Sequence, residues 1–131
     1  MNTNYKLTFA VIAGVAIGVA GAGAIHAQQY QVAPAYLIAE QLEITDSTAF
    51  QKYASSVPAT LAPFGGHFLV RAGSRTVALE GDQPKPIVVL AFDSMEKARG
   101  WLDSPAYQAI MPIRHSSAKT RSYLVEGIVP Q

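Results

Sequence analysis

Apolar and polar side chains alternate along residues 36–44 with a period close to two. This pattern predicts a strand that is buried on one face. Beyond it, apolar side chains return at helical spacing, Phe50 and Tyr53 among them. Thr45 or Asp46 supplies a side-chain oxygen that can cap the first turn of such a helix. The chain therefore begins its fold with a strand followed by a helix.

The middle of the chain has the pattern of further strands. Residues 67–72 alternate again, and residues 87–92 are almost entirely apolar. A continuous apolar run predicts a central strand that is covered on both faces. Residues 76–80 can continue the preceding strand after a bulge or turn at Gly73 and Ser74.

The last third predicts a helix, a second short helix and a strand. Asp93 or Ser94 can cap the helix, residues 106–117 predict a helix interrupted near Pro112, and residues 121–128 predict a strand. The order β-α-β-β-α-β suits an antiparallel sheet with helices on one face, the ferredoxin-like α+β fold. The other face then needs a cover, and a second copy of the chain is the natural one.

The N-terminus differs in composition from the rest. Residues 7–25 hold no charged side chain and follow Lys6, the only charged residue before them. This arrangement predicts a signal peptide over residues 1–27, and cleavage after Ala24 or Ala27 fits equally well. An uncleaved membrane anchor formed by residues 7–25 is the alternative, since an apolar run of this length can span a bilayer. Several glycines and the lack of a following basic cluster favour cleavage.

Cleavage leaves residues 28–34 as a short tether and residues 35–131 as one domain, which we expect in the periplasm or outside the cell. Lys6 is one of ten basic residues, so its removal leaves nine basic against nine acidic side chains. The basic residues are scattered, which argues against nucleic acid as a partner. The absence of cysteine excludes disulfides, thiol nucleophiles and cysteine-ligated metals.

Several short motifs occur together between residues 35 and 127. They are YLIA at 36–39, PAT at 58–60, FGG at 64–66, FLVR at 68–71, FDSME at 92–96, SPAYQ at 104–108, PIR at 112–114 and LVEG at 124–127. Taken together, they resemble the family named domain of unknown function 1330, within the dimeric α/β-barrel superfamily. The resemblance implies a homodimer in which two sheets form a barrel, and it implies no established reaction.

Arg114 and His115, close after Pro112, form the most suggestive pair of polar residues. Arginine presents a fixed fork of donors for a carboxylate or phosphate, and histidine can move a proton near neutral pH. The family resemblance separately favours Arg114, which lies in the PIR motif. The alternative is structural: Arg114 pairs with an acidic side chain and His115 faces solvent.

His67 and Arg71 lie four residues apart on a predicted strand, and we therefore expect them on the same face. There they could line a cavity with Glu40 or Glu126, or they could pair across two subunits. Tyr107 follows the Ser104-Pro105 break and matches the family pattern, which makes it a candidate for the edge of a pocket. Histidines at metal-binding spacing are absent, so no metal site is predicted.

Three hypotheses follow from these residues. In the first, the protein binds a small anionic or partly apolar molecule through Arg114, with Tyr107 and His67 nearby. In the second, it is a cofactor-independent enzyme, a monooxygenase or isomerase by analogy with the same barrel, with His67 or His115 as the base. In the third, these polar residues serve only the dimer. None of the three requires a cofactor.

Overall fold

The computed structural model describes residues 30–131, so the predicted signal peptide and the first residues of the tether lie outside it. Residues 30–131 form four strands and three α-helices. The strands are β1 (Ala35–Ile44), β2 (His67–Val70), β3 (Ile87–Phe92) and β4 (Ala118–Glu126), and the helices are α1 (Ser47–Leu61), α2 (Met95–Asp103) and α3 (Pro105–Ser117). A short 3-10 helix, Ala62–Phe64, extends α1. Among these described helices, none has the length and hydrophobicity needed to cross a membrane.

The four strands form one antiparallel sheet in the order β2-β3-β1-β4. The apolar run that predicts a central strand is β3, which lies between β2 and β1. The helices cover the face that carries Leu37 and Leu90, and Trp101 of α2 and Val57 of α1 complete the core. The predicted α+β, ferredoxin-like arrangement is therefore confirmed.

The opposite face of the sheet carries residues that alternate with the core positions. They include Ile38 and Val89, which are half-buried, and Tyr123, which is 47% exposed. We call the surface formed by Ile38, Val89, Tyr123 and Val125 the open face. Two ion pairs border it, between Arg121 and Glu40 and between Lys119 and Glu43.

Side-chain caps set the helix boundaries. The Asp46 carboxylate accepts a hydrogen bond from the Ala49 amide at 3.0 Å and begins α1. Ser94 caps α2 in the same way through the Lys97 amide. Each cap satisfies an amide that has no partner within its own helix.

Two elements differ from the sequence predictions. Residues 76–80 form no strand and belong to an irregular segment between β2 and β3. Pro84 and Pro86 lie in the second half of this segment and lack the amide hydrogens that a longer ladder with β2 would require. The helix over residues 105–117 is continuous through Pro112, because one proline removes a single hydrogen bond while packing of α3 against α1 holds the turns on both sides.

Candidate functional site

A cavity of about 470 Å³ lies between the sheet and the helices. Its floor is formed by β1 and β3 side chains such as Leu37 and Leu90, and its walls by α1, α2 and α3 side chains such as Tyr53, Trp101 and Tyr107. Most of the lining is apolar. Both its size and its apolar character are typical of pockets that hold small organic molecules.

Arg114 brings a positive charge to the cavity from the last turn of α3. Its Nη1 donates a hydrogen bond to Thr120 Oγ1 on β4, at 2.5 Å, and its Nη2 donates to His115 Nε2 at 3.1 Å. Arg114 Nε is buried and has no hydrogen-bond partner among the described residues. The guanidinium thus keeps a buried donor unsatisfied, an arrangement that is rare in folded proteins.

The charges of the cavity lining have one sign. Arg114 and Arg71 both line it, whereas no aspartate or glutamate does so among residues 30–131. The ion pairs in this part of the chain involve Lys97, Lys119 and Arg121 instead. Arg114 therefore forms no ion pair with any of the described residues, contrary to the structural alternative. The cavity offers a net positive charge to whatever occupies it.

Two tyrosine hydroxyls add polar groups to the wall. Tyr53 and Tyr107 hold their hydroxyl oxygens 3.2 Å apart. The Tyr107 ring also packs against Trp101, with ring centroids 4.0 Å apart and ring planes inclined by 40°. Burial, and then the neighbouring Tyr107, raises the pKa of Tyr53 far above its ordinary value, with only a partial opposing effect of Arg114. Tyr53 therefore stays protonated and can donate a hydrogen bond throughout the physiological pH range.

The position of Tyr107 differs in detail from the sequence prediction. It is 3% exposed and lies in the cavity wall, where the prediction expects the edge of a pocket. The helical spacing of Tyr53 predicts a core residue, yet Tyr53 lies beside Tyr107 in the cavity wall. Thr120 has no sequence signal of its own, because its role depends on β4 passing beside the end of α3.

The prediction that His67 and Arg71 share a face is wrong. His67 pairs with Ala91 and Phe68 with Leu90, but Val70 pairs with Val89, so Leu69 is an extra residue in β2. Such a bulge reverses the alternation of the residues that follow it. As a result Arg71 lines the cavity with Phe68, whereas His67 is exposed and lies outside it.

The predicted acidic partners of that pair also lie elsewhere. Neither Glu40 nor Glu126 lines the cavity. Glu40 forms its ion pair with Arg121 at 2.9 Å, because its position on β1 places it on the sheet face that the helices do not cover. No acidic group thus approaches Arg71 from β1 or β4 within the described chain.

His115 contacts the cavity only through Arg114. Its ring is exposed and faces an open basin, which it shares with Lys119 and Arg121. No histidine of residues 30–131 lines the cavity. The histidine base of the enzyme hypothesis is therefore not found among the described lining residues. In the same part of the chain no three acidic or histidine side chains cluster in a way that could hold a metal ion.

Comparisons with known proteins agree with the fold. The family model described as Domain of unknown function (DUF1330) matches residues 34–128. The structure of the RPA0582 protein of unknown function from Rhodopseudomonas palustris aligns with a TM-score of 0.60 and 13% identity, over 75% of this chain and 85% of that one. No curated protein matches.

Two further solved structures are similar. A dimeric protein of unknown function with a ferredoxin-like fold, from Bacteroides fragilis, aligns with a TM-score of 0.50 and 12% identity, over 71% of this chain and 95% of that one. SnoaB, a cofactor-independent oxygenase from Streptomyces nogalater, aligns with a TM-score of 0.48 and 13% identity, over 72% of this chain and 92% of that one. At such identities the likeness concerns the fold alone.

Proposed function

Since the chain belongs to the DUF1330 family, whose description assigns no function, we propose a function from the cavity itself: the protein binds a small molecule with an oxyanionic group and an apolar body. The observation that carries this proposal is Arg114, a cavity-lining arginine with a buried, unsatisfied Nε and no acidic partner in residues 30–131. A carboxylate or similar oxyanion supplies the hydrogen-bond acceptor and the negative charge that this guanidinium lacks.

The energetics of Arg114 favour an anionic ligand. A buried donor without an acceptor costs about 1–3 kcal/mol, and a hydrogen bond to a charged group contributes about 1.5–3 kcal/mol. An oxyanion can accept from two donors of the planar guanidinium at once. Thr120 and His115 hold Nη1 and Nη2 from two sides, so the fork is fixed before a ligand arrives. Such preorganisation lowers the cost of binding.

The remainder of the cavity favours an apolar ligand body. Leu37, Val57 and Leu90 offer aliphatic surface, and Trp101 offers aromatic surface. Apolar area removed from water contributes about 25 cal/mol per Å². A ligand that is an anion at one end and apolar over the rest of its length therefore matches both parts of the cavity.

We propose further that the working form is an exported homodimer. Residues 7–25 and the small residues that follow them support export. Mass spectrometry of the mature protein recovered from the cell envelope tests this: we expect its first residue to be Ile25 or Gln28. An intact chain that begins at Met1 would instead support the membrane anchor. Dimerisation is supported by the open face, and a second copy could bury it.

The ligand proposal is tested by titration with decanoate, and the intrinsic fluorescence of Trp101, the only tryptophan of the chain, reports binding. We expect saturable binding of decanoate and weaker binding of decanol, which lacks the anion. Arg114→Gln should weaken decanoate binding about tenfold to a hundredfold, in line with the loss of about 1.5–3 kcal/mol from charge-assisted hydrogen bonds.

Arg99→Gln is the matched control, because Arg99 is an exposed helical arginine that does not line the cavity. It should leave decanoate affinity unchanged. If decanoate and decanol bind alike, or if the Arg114 variant keeps full affinity, the guanidinium does not recognise an anion and the proposal fails.

A further inference from the structure

The two arginines of the cavity lining belong to opposite edges of the sheet. Arg71 follows directly after β2, and Arg114 is hydrogen-bonded to Thr120 of β4. In the order β2-β3-β1-β4 these are the two edge strands. Neighbouring strands lie about 4.8 Å apart, so three spacings separate the edges by about 14 Å. The cavity therefore has a positive group near each end of its floor.

Apolar side chains occupy the floor between these two ends. β3 contributes Val88 and Leu90, and β1 contributes Leu37 and Ala39. Gln41 is the one polar side chain that the two central strands add to the lining. An occupant that reaches both arginines must therefore present an apolar middle section to the sheet.

The Arg71 guanidinium lies over the aromatic ring of Phe68. Its Cζ lies 3.9 Å from the centroid of the Phe68 ring, and Phe68 itself lines the cavity. A guanidinium stacked on an aromatic face keeps its N–H groups directed outward in the plane, where an oxyanion can accept from them. The Leu69 bulge is the reason that Arg71 faces this side of the sheet.

From this placement, and resting on the proposed function, we infer that the ligand is an elongated molecule with an oxyanionic group at each end and an apolar segment between them. Arg114 binds one end in the interior and Arg71 binds the other at the mouth. The second interaction is the weaker one, because Arg71 is exposed to solvent and ion pairs in water contribute little. Arg71 thus sets specificity for ligand length and charge, while Arg114 supplies the main anionic contact.

Titration with decanedioate and decanoate tests the inference, with Trp101 fluorescence as the readout. For the unaltered protein we expect decanedioate to bind about threefold to fivefold more tightly than decanoate, with an advantage that shrinks as salt concentration rises. Butanedioate is too short to reach both arginines and should show no such advantage over butanoate.

Arg71→Gln should abolish the preference, so that decanedioate and decanoate bind this variant with the same affinity. Arg75→Gln is the matched control, because Arg75 is an exposed arginine of the same segment outside the cavity lining, and it should keep the preference. Equal affinities for the two ligands in the unaltered protein, or a preference that survives Arg71→Gln, would overturn the inference while the Arg114 site stands. Failure of decanoate itself to bind would instead overturn the proposed function.

Discussion

At the scale of single residues, the wall of the cavity depends on a few buried hydrogen bonds. Trp101 Nε1 donates to Thr60 Oγ1 at 3.0 Å, and Thr60 Oγ1 donates to the Val57 carbonyl at 2.7 Å. The hydroxyls of Tyr53 and Tyr107 form a hydrogen bond between α1 and α3. These bonds fix the orientation of aromatic rings that would otherwise be free to fill the cavity.

The buried hydroxyl of Tyr53 predicts a pH dependence of stability. Its pKa is raised in the folded protein, mainly by burial, and returns to its ordinary value near 10 on unfolding. Below about pH 10 both states hold the proton, so pH has no effect through this group. Above about pH 10 the Tyr53 hydroxyl loses its proton only in the unfolded state. The free energy of unfolding then falls by up to about 1.4 kcal/mol per pH unit.

Urea unfolding near pH 9 and near pH 11 measures this effect. Tyr53→Phe should remove about 1 kcal/mol of the alkaline loss of stability that the unaltered protein shows. Tyr30→Phe is the control, because Tyr30 is 93% exposed and should leave the loss unchanged. The same alkaline loss in the Tyr53 variant would show that this hydroxyl is not buried as described.

Single residues also show where sequence reasoning succeeds and where it ends. Arg114 and Tyr107 stand out by residue type and motif, and both line the cavity. Thr120 and Tyr53 do not stand out, because only the packing of α3 beside β4 and α1 makes them neighbours of Arg114 and Tyr107. One extra residue, Leu69, decides the face of Arg71, and alternation alone does not reveal such a bulge.

At the scale of elements, Ser104 joins α2 to α3. Its hydroxyl donates to the Trp101 carbonyl at 2.7 Å and accepts from the Tyr107 amide at 3.3 Å, so one buried side chain ends one helix and begins the next. Pro105 then occupies the first position of α3, where a missing amide hydrogen costs nothing. This junction sets the angle from which Trp101 and Tyr107 reach the cavity.

Ser104→Ala should destabilise the protein more than the loss of an ordinary cap. It leaves the buried Tyr107 amide without its acceptor, and we expect a loss of about 2 kcal/mol in the free energy of unfolding. Ser94→Ala, which removes only the N-terminal cap of α2, should cost about 1 kcal/mol. Urea unfolding compares the two variants. Equal losses would contradict the double role of Ser104.

Elements were predictable where local signals agree. The caps Asp46 and Ser94 and the apolar run of β3 identify their elements from sequence. Residues 76–80 resemble a strand locally, yet the prolines that follow them prevent a longer ladder. Pro112 resembles a helix break, but the contacts of α3 with α1 outweigh one lost hydrogen bond.

At the scale of the whole molecule, the open face predicts association of two copies. Ile38, Val89 and Tyr123 form an apolar surface on the side of the sheet away from the helices. We expect light scattering at micromolar concentration to give the mass of a dimer. Ile38→Glu should convert it to a monomer, because the charge would be buried without a partner.

Leu79→Glu is the matched control, because Leu79 is 92% exposed in the segment between β2 and β3. It should leave the dimer intact. A monomer in the unaltered protein, or a dimer that tolerates Ile38→Glu, would exclude the open face as the interface.

A crystal structure of the protein with decanoate would show directly whether the Arg114 guanidinium binds an oxyanion inside the cavity. We expect the carboxylate within hydrogen-bond distance of the guanidinium, about 2.7–3.2 Å, with the alkyl chain between the sheet and Trp101. An Arg114 paired instead with an acidic side chain of a second copy, beside a cavity without decanoate, would contradict this expectation.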